Sequence, residues 1–230
     1  MSQPPRIVRS RLTTPRAAAI AGIAFSLLLL ISLVLVRQAV PSDPLDAGEW
    51  LSSSWEAVTL ALNLLPFAGI AFLWFIGVIR DRLGENEDRF FATVFLGSGL
   101  LFLAMLFTSA ATAGGLLRMY GTYPTELIEL GIYAFGRTVT YEIMNVYTMK
   151  MAGVFMISTC TISLRTGIFP RWMTFLGLAL AVFLLFSLGK FSWATLVFPL
   201  WVLLISMYIL LVNFRRPKTV PPAADPTEKE

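Results

Sequence analysis

Residues 17–36 read AAAIAGIAFSLLLLISLVLV, an uninterrupted run from Ala17 to Val36 with no charged side chain. At about 1.5 Å per residue, a helix of this length reaches about 30 Å, the thickness of a bilayer's hydrocarbon layer. A secretory leader has a shorter apolar stretch and a small-residue cleavage site, whereas Arg37-Gln38-Ala39-Val40-Pro41 follows here. The run therefore reads as a retained membrane anchor.

Five further runs share this character: Ala57 to Ile79, Phe90 to Leu117, Ile143 to Leu164, Trp172 to Gly189 and Phe191 to Phe214. The chain is 57% hydrophobic and 14% charged, with a mean hydropathy of +0.73, well away from a soluble domain. The expected fold is all-α: a polytopic membrane protein with six transmembrane helices over 17–214. It is flanked by a cytoplasmic N-tail (1–16) and a cytoplasmic C-tail (215–230), both rich in Pro and charge and read as disordered.

Positive charge orients the spans, because Lys and Arg are retained on the cytoplasmic side more readily than they are translocated. With the N-terminus inside, only Arg37, Arg118, Arg137, Lys150 and Lys190 of the 18 basic residues fall outside. N-in and C-in follows. Trp50, Trp55, Tyr120, Tyr123, Tyr141 and Trp193 then gather near the outer interface. Asp43, Asp46, Glu49 and Glu56 make the first outer loop acidic, and Pro124 to Leu130 reads as a short outer helix lying on the bundle.

Several chemistries are excluded by composition. The chain has one cysteine, Cys160, and no histidine, which removes an intrachain disulfide, haem with a histidine ligand, histidine-based zinc sites and a Ser-His pair. No cofactor or metal site is expected, nor any catalytic residue. Gly97-Ser98-Gly99 resembles part of the serine motif of rhomboid proteases, but Leu96 stands where that motif needs Gly and no histidine exists to act as base. The net charge of +4 sits at the ends of apolar runs with no stacking aromatics between, so no nucleic acid is expected as a partner.

Polar residues inside the spans are the candidate site, since each costs roughly 2.5 to 3.5 kcal/mol near mid-membrane on insertion scales. The fourth span offers Glu142, Asn145 and Lys150. Glu142 and Asn145 are neighbours on an α-helical face, while Lys150, eight positions on, falls about 80° round the helix. They form either a polar seam facing the bundle or a lysine that snorkels to the interface. Asn63 lies near Pro66 in the second span, and Pro199 interrupts the sixth. Each proline leaves a carbonyl without its usual donor, which serves either packing or a cavity. Ala104, Thr108, Ala111 and Gly115 form a small-residue stripe expected to meet another helix. Cys160 reads as a buried small residue.

Gly77-Val78-Ile79-Arg80-Asp81-Arg82-Leu83-Gly84 is similar to the loop signature of the major facilitator superfamily, with Glu85 and Asn86 where that signature has basic residues. The resemblance implies that Asp81 and Arg82 brace adjacent helices during alternating access; a charged hairpin capped by Gly84 accounts for the same residues. Arg165-Thr166-Gly167-Ile168-Phe169-Pro170-Arg171-Trp172, with Phe198-Pro199-Leu200-Trp201, looks like the C-terminal half of uncharacterised bacterial multi-pass membrane proteins. That resemblance implies a bacterial envelope protein and no activity, and the inner membrane is the expected location of its helical spans.

Two functions fit these residues. One is a non-catalytic partner or scaffold of the bacterial envelope, in contact with the lipid bilayer and with a second copy or other membrane proteins. The other is a small transporter or channel, as a homodimeric half-transporter with a pathway past Asn63, Asn145 and Lys150. They differ in whether those residues line a water-filled cavity or a dry core.

Overall fold

The computed structural model describes residues 14–41, 50–83, 89–187 and 193–215. Every regular element among them is helical: α1 (Thr14–Ala39), α2 (Trp50–Ser53), α3 (Trp55–Leu83), α4 (Arg89–Thr122), α5 (Pro124–Glu129), α6 (Ile132–Glu142), α7 (Met149–Thr166), α8 (Arg171–Phe186) and α9 (Ala194–Arg215). A π-helical segment, Ile143–Thr148, joins α6 to α7. Most of both tails, the acidic stretch Asp43 to Glu49 and the Gly84 cap lie outside the described residues.

Four stretches are long and apolar enough to cross a membrane: Ala17–Ala39, Trp55–Arg80, Phe90–Thr122 and Ala194–Val212. This is fewer than six, and the difference has a physical origin. The described part of α8 has 16 residues, or about 24 Å, short of the hydrocarbon thickness. The Ile143–Leu164 run lies within a longer helical path from Ile132 to Thr166, where Lys150 and Arg165 dilute the apolar content. Its end is set by Gly167, in the left-handed region at φ 67°, whose N–H donates to the Ser163 carbonyl at 2.8 Å. Pro170 immediately precedes α8.

The centre of the bundle is aromatic. Phe25, Phe72, Phe75, Phe95, Phe102, Phe155 and Phe198, drawn from α1, α3, α4, α7 and α9, are all fully buried. Their rings pair tilted, stacked or edge-on, from 4.5 Å between Phe25 and Phe72 to 6.2 Å between Phe25 and Phe102. Phe72 meets five of these rings. Such pairs add about 0.5 to 1.5 kcal/mol each beyond area burial. Phe198 precedes Pro199, and both α3 and α9 run on as helices through their prolines.

A second, smaller core closes one end. Leu51, Val58, Leu117, Leu127 and Tyr133 bring together the ends of α3 and α4 with α2, α5 and α6. The short helix expected at Pro124 is present with Pro in its first turn, and its Leu127 is fully buried in this core. Trp50, Trp55 and Tyr120 pack around it. Arg37 stacks on Trp193 at 3.9 Å and Arg165 on Phe91 at 4.5 Å, cation–aromatic contacts suited to headgroup regions.

The small-residue stripe turns the other way from expectation. Ala104, Thr108, Ala111 and Gly115 are all exposed, and a methyl group at Gly115 would meet nothing within 4 Å. The α4 face that packs is the larger one, through Phe95, Phe102 and Leu106. Close helix approach occurs instead at Gly22, where Ser206 and Phe75 crowd the α-carbon, and at Gly177, against Cys160 and Trp201. Cys160 is 2% exposed, in keeping with a small buried residue.

Candidate functional site

The polar residues singled out in the spans sit on α3 and along the continuous path of α6, the π-helical segment and α7. Asn63 lies on α3 with its side chain exposed. Glu142 ends α6, Asn145 is in the π-helical segment and Lys150 is the second residue of α7. Among the described residues no hydrogen bond or ion pair joins any two of these four. Asp81 and Arg82 fall in the last turn of α3, and the loop that would complete their motif lies outside the described residues.

The π-helical segment is the feature that sequence periodicity missed. Tyr133 and Ala152 are both buried and 19 positions apart. On an unbroken α-helix they would lie about 100° apart; absorbing one extra residue in a wide turn brings them into line. The segment thus lets one continuous helix bury Tyr133 in the small core and Ala152 and Phe155 in the large one. The signal available in the sequence is a phase shift in the buried positions, which needs the packing partners to be recognised.

Side chains stabilise the wide turn. The Thr148 hydroxyl donates to the Ile143 carbonyl at 2.8 Å, five residues back, and the Asn145 amide donates to the Tyr141 carbonyl at 3.0 Å. From α4, the Ser109 hydroxyl donates to the Thr140 carbonyl at 3.0 Å, fixing the two helices in register. Asn145 is thereby engaged by its own backbone and only partly buried.

The same extra residue moves Lys150. The eight-residue separation from Glu142 counts as seven, which at 3.6 residues per turn leaves the two within about 20° instead of 80°. Glu142 is exposed and Lys150 partly exposed, with Tyr147 (57% exposed) beside them. The pair occupies the outward side of the helix, and the inward side carries Thr148, Met149 and Ala152.

A pocket of about 20 Å³, room for a single water, lies elsewhere, between Ile79, Phe95, Ile162 and Ile209, and its lining is almost wholly apolar. Ser98 is buried, with its hydroxyl donating to the Val94 carbonyl at 2.7 Å. No group of three or more metal-ligating side chains occurs among the described residues.

At the small-core end two contacts tie distant segments together. The Trp50 indole donates to the Tyr133 hydroxyl at 2.8 Å, and Arg137 Nη2 donates to the Pro41 carbonyl at 2.7 Å just beyond the C-terminus of α1. A cation there also suits the negative end of the helix dipole. Arg137 Nη1 is buried, with no hydrogen-bond partner among the described residues.

No family model, curated protein or solved structure matches the chain.

Proposed function

We propose that the chain is a six-helix protein of the bacterial inner membrane, N-in and C-in, that acts as a non-catalytic partner or scaffold for other membrane proteins. The observation that carries this reading is the ring of buried phenylalanines filling the bundle centre, where a transport pathway would need polar lining and water. Support also comes from the outward placement of Asn63, Glu142 and Lys150, which a substrate route through a single chain would turn inward. The helical path from Ile132 to Thr166 is long enough to be a fifth span, and α8 pairs with it along Gly153 and Ala181 as the sixth. Nothing in the described residues assembles a nucleophile with a base, and no cofactor is invoked.

Cysteine accessibility tests both topology and dryness in a Cys160→Ala background. Cysteines at Ser53 and Thr122 react with a membrane-impermeant maleimide from outside, and one at Asn86 only from inside. Cysteines at Ala68 and Ala152, both fully buried, react from neither side. Labelling of position 68 or 152 would instead reveal a water path and favour a transporter. Labelling of position 86 from outside would reverse the topology.

A further inference from the structure

Glu142 and Lys150 stand on the outward side of the α6–π–α7 helix with about two turns, or about 11 Å, between them. The hydrogen bond from Ser109 to Thr140 sets their depth. Ser109 lies 20 residues along α4 from Arg89, about 30 Å from that end. With Arg89 placed at the inner edge of the hydrocarbon, Glu142 falls near the outer edge and Lys150 about two turns deeper. Neither makes an ion pair with any described residue. An acid and a base facing out of the bundle at different depths, both unpaired among the described residues, form a charge pattern that a complementary surface would satisfy.

We propose that this lane of the helix docks a transmembrane helix of a partner protein, one that carries a basic side chain level with Glu142 and an acidic side chain about two turns deeper. The proposal rests on the partner reading above and adds the face used and the chemistry recognised. Charge order selects this occupant over two others. A second copy inserted with the same topology and related by a two-fold axis along the membrane normal would set Glu142 against Glu142 and Lys150 against Lys150 at equal depths, like against like. A zwitterionic lipid holds its two charges in one headgroup, close together at the surface, whereas here the charges are two helical turns apart. A helix carries side chains at any depth, so it alone matches both. Tyr147, largely exposed beside the pair, supplies an aromatic surface for the same partner.

The test uses the full chain, donor-labelled, in phosphatidylcholine vesicles, with three acceptor-labelled peptides. Each is a Leu/Ala helix of membrane-spanning length. The first has Lys level with Glu142 and Glu seven positions deeper, the second has the two exchanged, and the third has neither. Energy transfer should report at least tenfold tighter binding of the first peptide than of the other two. In the double variant Glu142→Lys, Lys150→Glu the preference should pass to the second peptide. Equal binding of all three overturns the proposal, as does a charge preference that appears only when phosphatidylethanolamine is added. Self-association of the chain that competes with the first peptide also overturns it, in favour of a second copy. The wild-type comparison stands even where the double variant fails to fold. Solute flux through vesicles holding the protein would remove the scaffold reading without altering the peptide ranking, so the two failures are distinguishable.

Discussion

The indole N–H of Trp50 donates to the hydroxyl of Tyr133 at 2.8 Å across 83 positions of sequence. Tyr133 is 4% exposed, so its hydroxyl depends on this partner at the end of the bundle where α2, α5 and α6 meet. Replacing Trp50 with Phe keeps most of the apolar contact and strands the Tyr133 hydroxyl. The expected loss is about 1 kcal/mol, read from unfolding in mixed micelles. Tyr133→Phe in the Trp50→Phe background should add little, because the group that was stranded is then gone.

Phe72 is the residue on which the aromatic core turns, touching five other buried rings. Phe72→Ala should cost about 3 to 5 kcal/mol through the cavity it leaves, and Phe72→Leu markedly less. Unfolding midpoints of the two variants check this. A small loss for Phe72→Ala would mean that the centre is loosely packed and would weaken the scaffold reading.

Gly22 and Gly69 both lack room for a methyl group, yet their substitutions should differ. A Cβ at Gly22 would run into Ser206 and into the fully buried Phe75 ring at 2.8 Å, pushing α1 from α9 and α3. Gly22→Ala should cost about 1 to 3 kcal/mol. At Gly69 the obstacle is the ring tip of Phe107, which is 39% exposed and free to swing aside. Gly69→Ala should therefore be close to neutral in the same unfolding assay.

The wide turn has its own prediction. Thr148→Val removes the hydroxyl that satisfies the Ile143 carbonyl while keeping the side-chain volume. Stability should fall by about 0.5 to 1.5 kcal/mol, and amide exchange should quicken locally, at residues 146–149, more than in α7 beyond. Uniform exchange along the helix would show that the segment does not need its threonine.

Lys150 and Glu142 share a face, and neither makes an ion pair with a described residue. For the purified protein, the cycle formed by Lys150→Met, Glu142→Gln and the double variant should give a coupling below about 1 kcal/mol. Lys150→Met alone should leave stability unchanged or slightly raised, since it removes a charge from the hydrocarbon. A coupling above about 2 kcal/mol would place the two in direct contact and leave them unavailable to a partner helix.

The apolar runs determined, from sequence alone, that the chain is all-α and bears helices fit for a membrane. The hydrocarbon layer sets a length and hydropathy requirement that a single segment meets by itself. The short helix after Pro124 was equally legible, because proline at a helix start acts locally. Which face of each helix is buried belongs to the tertiary structure, since in lipid both faces are apolar and periodicity carries little signal. Hence the stripe at Ala104, Thr108, Ala111 and Gly115 read as a packing face and turned outward, while Phe95 and Phe102 turned inward. The π-helical segment was hidden for a related reason. It exists because Tyr133 must reach one core and Ala152 another along one helix, and only the packed neighbours impose that demand. Glu142 and Lys150 were visible as residues, but their shared face arises from that one absorbed residue.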